Sequence, residues 1–160
     1  MASDIFAKIG DIKGESLDDN HKDEIDVMSY SWGVTQAGSI VGGGGGGEGK
    51  AQFNDFNFTT NVSKASPFLF LACASGQHIK EAKLVGRKAG KAQQEYLTWT
   101  FSDILVSSYQ TSGSEGDDAV IDSVSVNFSK AVVSYKAQKA DGSLDTAVTA
   151  GWDAKTNKKL

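Results

Sequence analysis

Between Ile25 and Thr35 the chain alternates. Met28, Tyr30, Trp32 and Val34 fall on one side of an extended strand, and Val27, Ser29, Ser31 and Gly33 fall on the other. One side is large and apolar, the other small and largely polar, so the spacing predicts a sheet whose second face meets water or a polar partner. The stretch before it, Gly14 to Glu24, is polar and mostly acidic and reads as a solvated loop. Looser alternation predicts strands over 5–12, 79–88, 96–101, 104–109, 120–128, 131–136 and 148–152. In 51–60 the apolar positions change parity, Phe53 giving way to Phe56 across Asn54-Asp55, which predicts a bulge or tight bend. A second parity change falls at Ser102-Asp103. The basic tail, 153–160, reads as loose.

Only one segment departs from this period. Ser66-Pro67 opens a helix with Ser as cap and Pro at the first helical position, and Gly76 closes it. Its body, Phe68 to Ala74, is apolar all the way round, so such a helix needs cover on more than one side. A second subunit could supply the second cover. The fold class is mainly β: an antiparallel β-barrel of two packed sheets with one short flanking α-helix.

Composition narrows the function. The 160 residues are one domain's length, 39% hydrophobic and 22% charged, with a formal net charge of −4 that disfavours nucleic acid as a partner. A single cysteine, Cys73, excludes an intramolecular disulfide framework. Neither a basic-then-apolar leader nor an apolar run long enough to span a membrane is present, so stable membrane insertion is not expected. Six consecutive glycines, 42 to 47, end in a partial phosphate-loop match, Gly44 to Lys50. Ala51 stands where the hydroxyl should be and a strand follows where the helix should be, so nucleotide binding is rejected. The acids at 15–26 lack the glycine hinge and terminal glutamate of a calcium loop, and His21 alone makes no zinc set. Cys73 lies inside the apolar helix, and a structural role fits His78 better than a catalytic one. No enzyme activity, metal or cofactor is indicated.

Two features remain. Residues 1–26 hold eight acids and three lysines, whereas 80–91 hold five basic residues and one acid. Unlike patches on one domain suit a head-to-tail contact between copies, which closes into rings or continues into filaments. In addition, Ser29/Ser31 and Ser123/Ser125/Asn127 give two strands the same face of small hydroxyls and amides.

Phe6 to Ser16, Glu24 to Val27 with Ser31 to Val34, and Lys64 to Pro67 with Leu71 to Ala74 are motifs of a known family. So are Arg87 to Gly90, Glu95 to Leu97, Gln138 to Gly142 and Ala150 to Trp152. Together they span almost the whole chain in order, which resembles the haemolysin-coregulated protein (Hcp) family. The resemblance implies a tube subunit of the type VI secretion system: a single domain over 1–160 that forms homohexameric rings. Such rings stack into a tube inside a contractile sheath, with a spike protein at the tip, and can carry small effectors in the lumen. The protein would be made in the cytoplasm and released into the medium or a target cell without a signal peptide. On that basis Asp18, Asp19, His21, Lys22, Asp23, Lys88, Lys91, Lys158 and Lys159 are candidates for ring stacking. Gly42, Gly44, Gly46, Glu48, Phe68, Phe70 and Leu71 are candidates for the contact within a ring. Ser29, Ser31, Ser125 and Asn127 are candidates for the lumen. The alternative reading is a stand-alone monomeric β-barrel that binds a small ligand.

Overall fold

The computed structural model describes residues 3–38, 50–89 and 93–160. Twelve strands and one helix follow in order: β1 (Ser3–Ile9), β2 (Ile25–Asp26), β3 (Ser29–Ser31), β4 (Val34–Gln36), β5 (Ala51–Phe53), β6 (Phe56–Asn61), α1 (Ser66–Ser75), β7 (Ile79–Lys88), β8 (Glu95–Ser112), β9 (Ile121–Asn127), β10 (Lys130–Tyr135), β11 (Val148–Asp153) and β12 (Lys158–Lys159). All pairings are antiparallel. One sheet runs β2-β1-β7-β8-β10-β11-β12; a second runs β3-β6-β9-β8; β4 and β5 form a separate hairpin. The two larger sheets enclose a core that includes Ile25, Phe58, Leu69, Leu84, Phe101, Ile104, Val106, Val124 and Val126. The expected two-sheet antiparallel architecture is present, and among the described residues its ladder does not close fully around the barrel.

β8 is the hinge of this arrangement. Its first half pairs with β7 and β10, its second half with β9, so one strand of 18 residues belongs to both sheets. The sequence divides this strand at Ser102-Asp103. The structure keeps it continuous and absorbs the parity change at Asp103, whose φ of 51° is left-handed and turns the strand from one sheet into the other. Asn54-Asp55 does interrupt the chain, between β5 and β6, as the parity change there predicts.

The strand expected over 25–35 is three short pieces. The Val27 amide donates to the Ile5 carbonyl on β1, but the next amide, Met28, donates to Thr59 on β6. Changing partner between sheets flips the parity: Ile25 and Val27 are buried, then Tyr30 and Trp32 turn inward, and Met28 and Val34 are left about half exposed. Trp32 stacks on Phe53 and meets Trp99, Phe101 and Phe128 edge-on, while its indole N–H donates to the Asn54 carbonyl at 2.8 Å. The tail is not loose either. Lys158 and Lys159 pair with Asp153 and Trp152, and the Asp153 carboxylate accepts the amides of Lys155 and Thr156.

α1 spans Ser66–Ser75 and ends at Gly76, whose φ of 63° is the left-handed conformation that closes a helix. Its start differs from the expected cap. Ala65 occupies the cap position, and Ser66 turns its hydroxyl inward to donate to buried Asp122. Leu69 and Ala72 are fully buried against the barrel.

Candidate assembly surfaces

The loop between β1 and β2 is docked, not solvated. A second cluster lies beneath it, on the face of the first sheet turned away from the core. Phe6 pairs with Val85 in register, and Asp4 with Arg87, so these side chains share that face. His21 stacks on Phe6 with centroids 4.4 Å apart, and its ring nitrogens lie 2.6 Å from Glu24 Oε2 and Glu95 Oε1. Arg87, only 3% exposed, lies over the Phe6 ring, donating through Nη2 to Asp18 at 2.7 Å and Asp4 at 3.3 Å. The bond to Arg87 holds the Asp18 carboxyl down at about 2, and the two carboxylates raise the Arg87 pKa. Gly14 is required at the mouth of this loop, because a Cβ there would collide with the Glu24 carbonyl. Ser16 is buried beside it.

This docking sorts the charged candidates. Asp18 and His21 are committed within the chain. Asp19 and Lys22 remain exposed, and half-buried Asp23 has its carboxylate 3.9 Å from Lys64. Lys88 follows Arg87 directly, so it lies close to the acidic loop in the same chain, and the Lys88 ammonium donates to Gln138 at 2.9 Å. Lys158 and Lys159 sit elsewhere, exposed on the edge strand β12. Lys91, Gly42, Gly44, Gly46 and Glu48 lie outside the described residues.

The helix presents its other side to solvent. Phe68, Phe70 and Leu71 are 58%, 59% and 56% exposed, an unusual density of large apolar side chains for a free surface. Cys73 is half-buried, and His78 is exposed with Nε2 3.1 Å from Asp103 Oδ1, a contact on the surface.

The second sheet places the neutral candidates together. Ser29 pairs with Thr59 and Thr59 with Ser123; Ser31 pairs with Asn57 and Asn57 with Ser125; β8 adds Gln110 and Ser108 opposite the two serines of β9. These rows share the face opposite Phe58, Val124 and Val126. Asn57 Nδ2 donates to Ser123 at 3.1 Å and Ser125 at 3.0 Å, and the Ser29 and Thr59 hydroxyls are 2.6 Å apart. Asn127 lies farther along this face, donating to Asp55 at 2.9 Å. The sequence reading missed Asn57, Thr59 and Gln110; the bare alternation of β6 and β8 carries the signal that would find them.

Among the described residues no group of His, Cys, Asp and Glu could hold a metal ion. Two surfaces of the described residues are left without a partner inside the chain: the neutral hydrogen-bonded face of the second sheet and the exposed apolar side of α1. Comparison identifies the family. Residues 6–135 match the family described as type VI secretion system effector, Hcp, so the chain belongs to the Hcp family. It is 49% identical to Protein hcp1 of Pseudomonas aeruginosa over 159 residues, 98% of each chain. Hcp1 from Salmonella typhimurium superposes with a TM-score of 0.80 at 39% identity, covering 100% of both chains. A solved type six secretion system protein gives a TM-score of 0.93 at 28% identity over 99% of this chain and 100% of its own. The chain is thus similar in fold and sequence to Hcp proteins of type VI secretion systems.

Proposed function

We propose that this protein is the ring-forming subunit of a type VI secretion tube: six copies close into a ring, and rings stack head-to-tail inside a sheath. Sheath contraction would then drive the tube, tipped by a spike protein, out of the cell. The observation that carries this reading is α1. One side of the helix is sealed against the barrel at Leu69 and Ala72, while Phe68, Phe70 and Leu71 stand more than half exposed. That apolar face fits the contact with the next copy in the ring. The neutral face of β3, β6, β9 and β8 fits the lumen wall. Hydroxyls and amides already bonded to one another hold cargo through weak, replaceable contacts, which suits carriage of small effector proteins. Asp19, Lys22, Asp23, Lys88, Lys158 and Lys159 supply charges for ring-to-ring stacking, a contact that must form and release. Native mass spectrometry of the purified protein tests the proposal. A hexamer is the expected species; a monomer at tens of micromolar would overturn it and favour the small-ligand module.

A further inference from the structure

Leu17 is 93% exposed, the most exposed large apolar side chain among the described residues, yet the residues on either side of it are tied down. Ser16 on one side is buried and exchanges backbone hydrogen bonds with Asp23 and Glu24. Asp18 on the other side is tied to Arg87. An isolated exposed leucine is ordinary. One presented on a loop clamped at both shoulders is pre-organised as a knob, because the ordering cost of binding is already met by the fold.

At the far end of the same sheet lies a groove of about 720 Å³, wide enough for a loop tip, whose apolar lining is Ile12, Phe68, Leu71 and Ile79. Lys13 and Lys80 stand on its rim with Asp11 and Glu81. Lys13 on that rim is only four residues from Leu17, yet Leu17 stands exposed and does not fill the groove of its own copy. Two residues to either side of Leu17 in sequence stand exposed acids, Glu15 and Asp19, which can pair with Lys13 and Lys80, the two basic groups among the four rim charges.

We infer that Leu17 of one copy seats in the groove beside α1 of the next copy in the same ring, covering Phe68 and Leu71. The inference rests on the ring reading and names what completes the half-covered helix. Knob and groove are different surfaces, so each copy gives one and receives one, the arrangement a closed ring requires. Its apolar centre suits a permanent contact within a ring better than a reversible one between rings.

The test uses the full chain carrying Cys73→Ala, Leu17→Cys and Gln77→Cys, Gln77 being an exposed residue at the groove. Isolated hexamers, verified by native mass spectrometry, are treated with a short bis-maleimide and resolved under denaturing conditions. A ladder ending at six chains is expected, with none from either single-cysteine variant. Intact hexamers that give no ladder would overturn the Leu17 assignment and leave the ring reading standing. A lone dimer band from Leu17→Cys by itself would place two knobs together and also overturn it. A wild-type chain, with Leu17 in place, that is monomeric in native mass spectrometry would remove the ring reading, and this inference with it.

Discussion

Asp18 shows how a surface-seeming acid becomes structural. Its carboxyl is held at about 2 against an ordinary 3.8, chiefly by the Arg87 hydrogen bond. A depressed carboxylate pKa stabilises the folded state fully above the unfolded value, and that stabilisation disappears as pH falls through the folded one. Urea midpoints of the wild type should therefore exceed those of Asp18→Asn at pH 7, and the gap should close between about pH 4 and pH 2. A gap independent of pH would mean that the substitution costs stability by something other than the charge on the carboxylate. The acidity of this loop is plain in the sequence, but its docking is not. The partner, Arg87, is 69 residues away on a strand whose alternation is loose, and Phe6 is an apolar residue pointing away from the main core. No local period reports a second, smaller core beneath a loop.

At the scale of elements, α1 separates folding from assembly. Leu69 is fully buried, so Leu69→Ala should destabilise the isolated subunit by about 2–5 kcal/mol, read as a lower urea midpoint. Phe70 is 59% exposed and touches Tyr109 only edge-on, at 6.3 Å between centroids, so Phe70→Ser should leave that midpoint nearly unchanged. The same change should weaken the hexamer on dilution, followed by native mass spectrometry. If Phe70→Ser lowered the midpoint as much as Leu69→Ala, the helix would be wholly a core element and its exposed side would not be an interface. The sequence makes this helix legible because it is apolar all round, bounded by Pro67 and Gly76. The same reasoning gives the wrong cap, because Ser66 answers to Asp122 on β9, a tertiary demand that outweighs local preference. Likewise, alternation reveals the strands but not which sheet each joins: 25–35 looks like one strand until Met28 changes partner, and β8 looks like two until Asp103 bends it.

At the scale of the whole molecule, the neutral face of the second sheet has two possible neighbours, bulk water or an enclosed channel. A freely solvated antiparallel face is normally dressed with lysine and glutamate, which also guard against edge-to-edge pairing. Here Ser29, Ser31, Asn57, Thr59, Ser123, Ser125 and Gln110 occupy the two central rows, and several of them already bond to each other across the strands. Such a face leaves few charges to repel or trap a passing chain, which suits a channel wall. Ser31→Cys and Ser125→Cys, each with Cys73→Ala, test that placement. In intact hexamers both cysteines should react with a small maleimide and resist a polymer-linked maleimide too wide for the lumen. Once urea has separated the subunits, the two reagents should label them equally. Equal labelling of the intact ring by both reagents would turn this face outward and transfer the role of channel wall to another surface of the barrel.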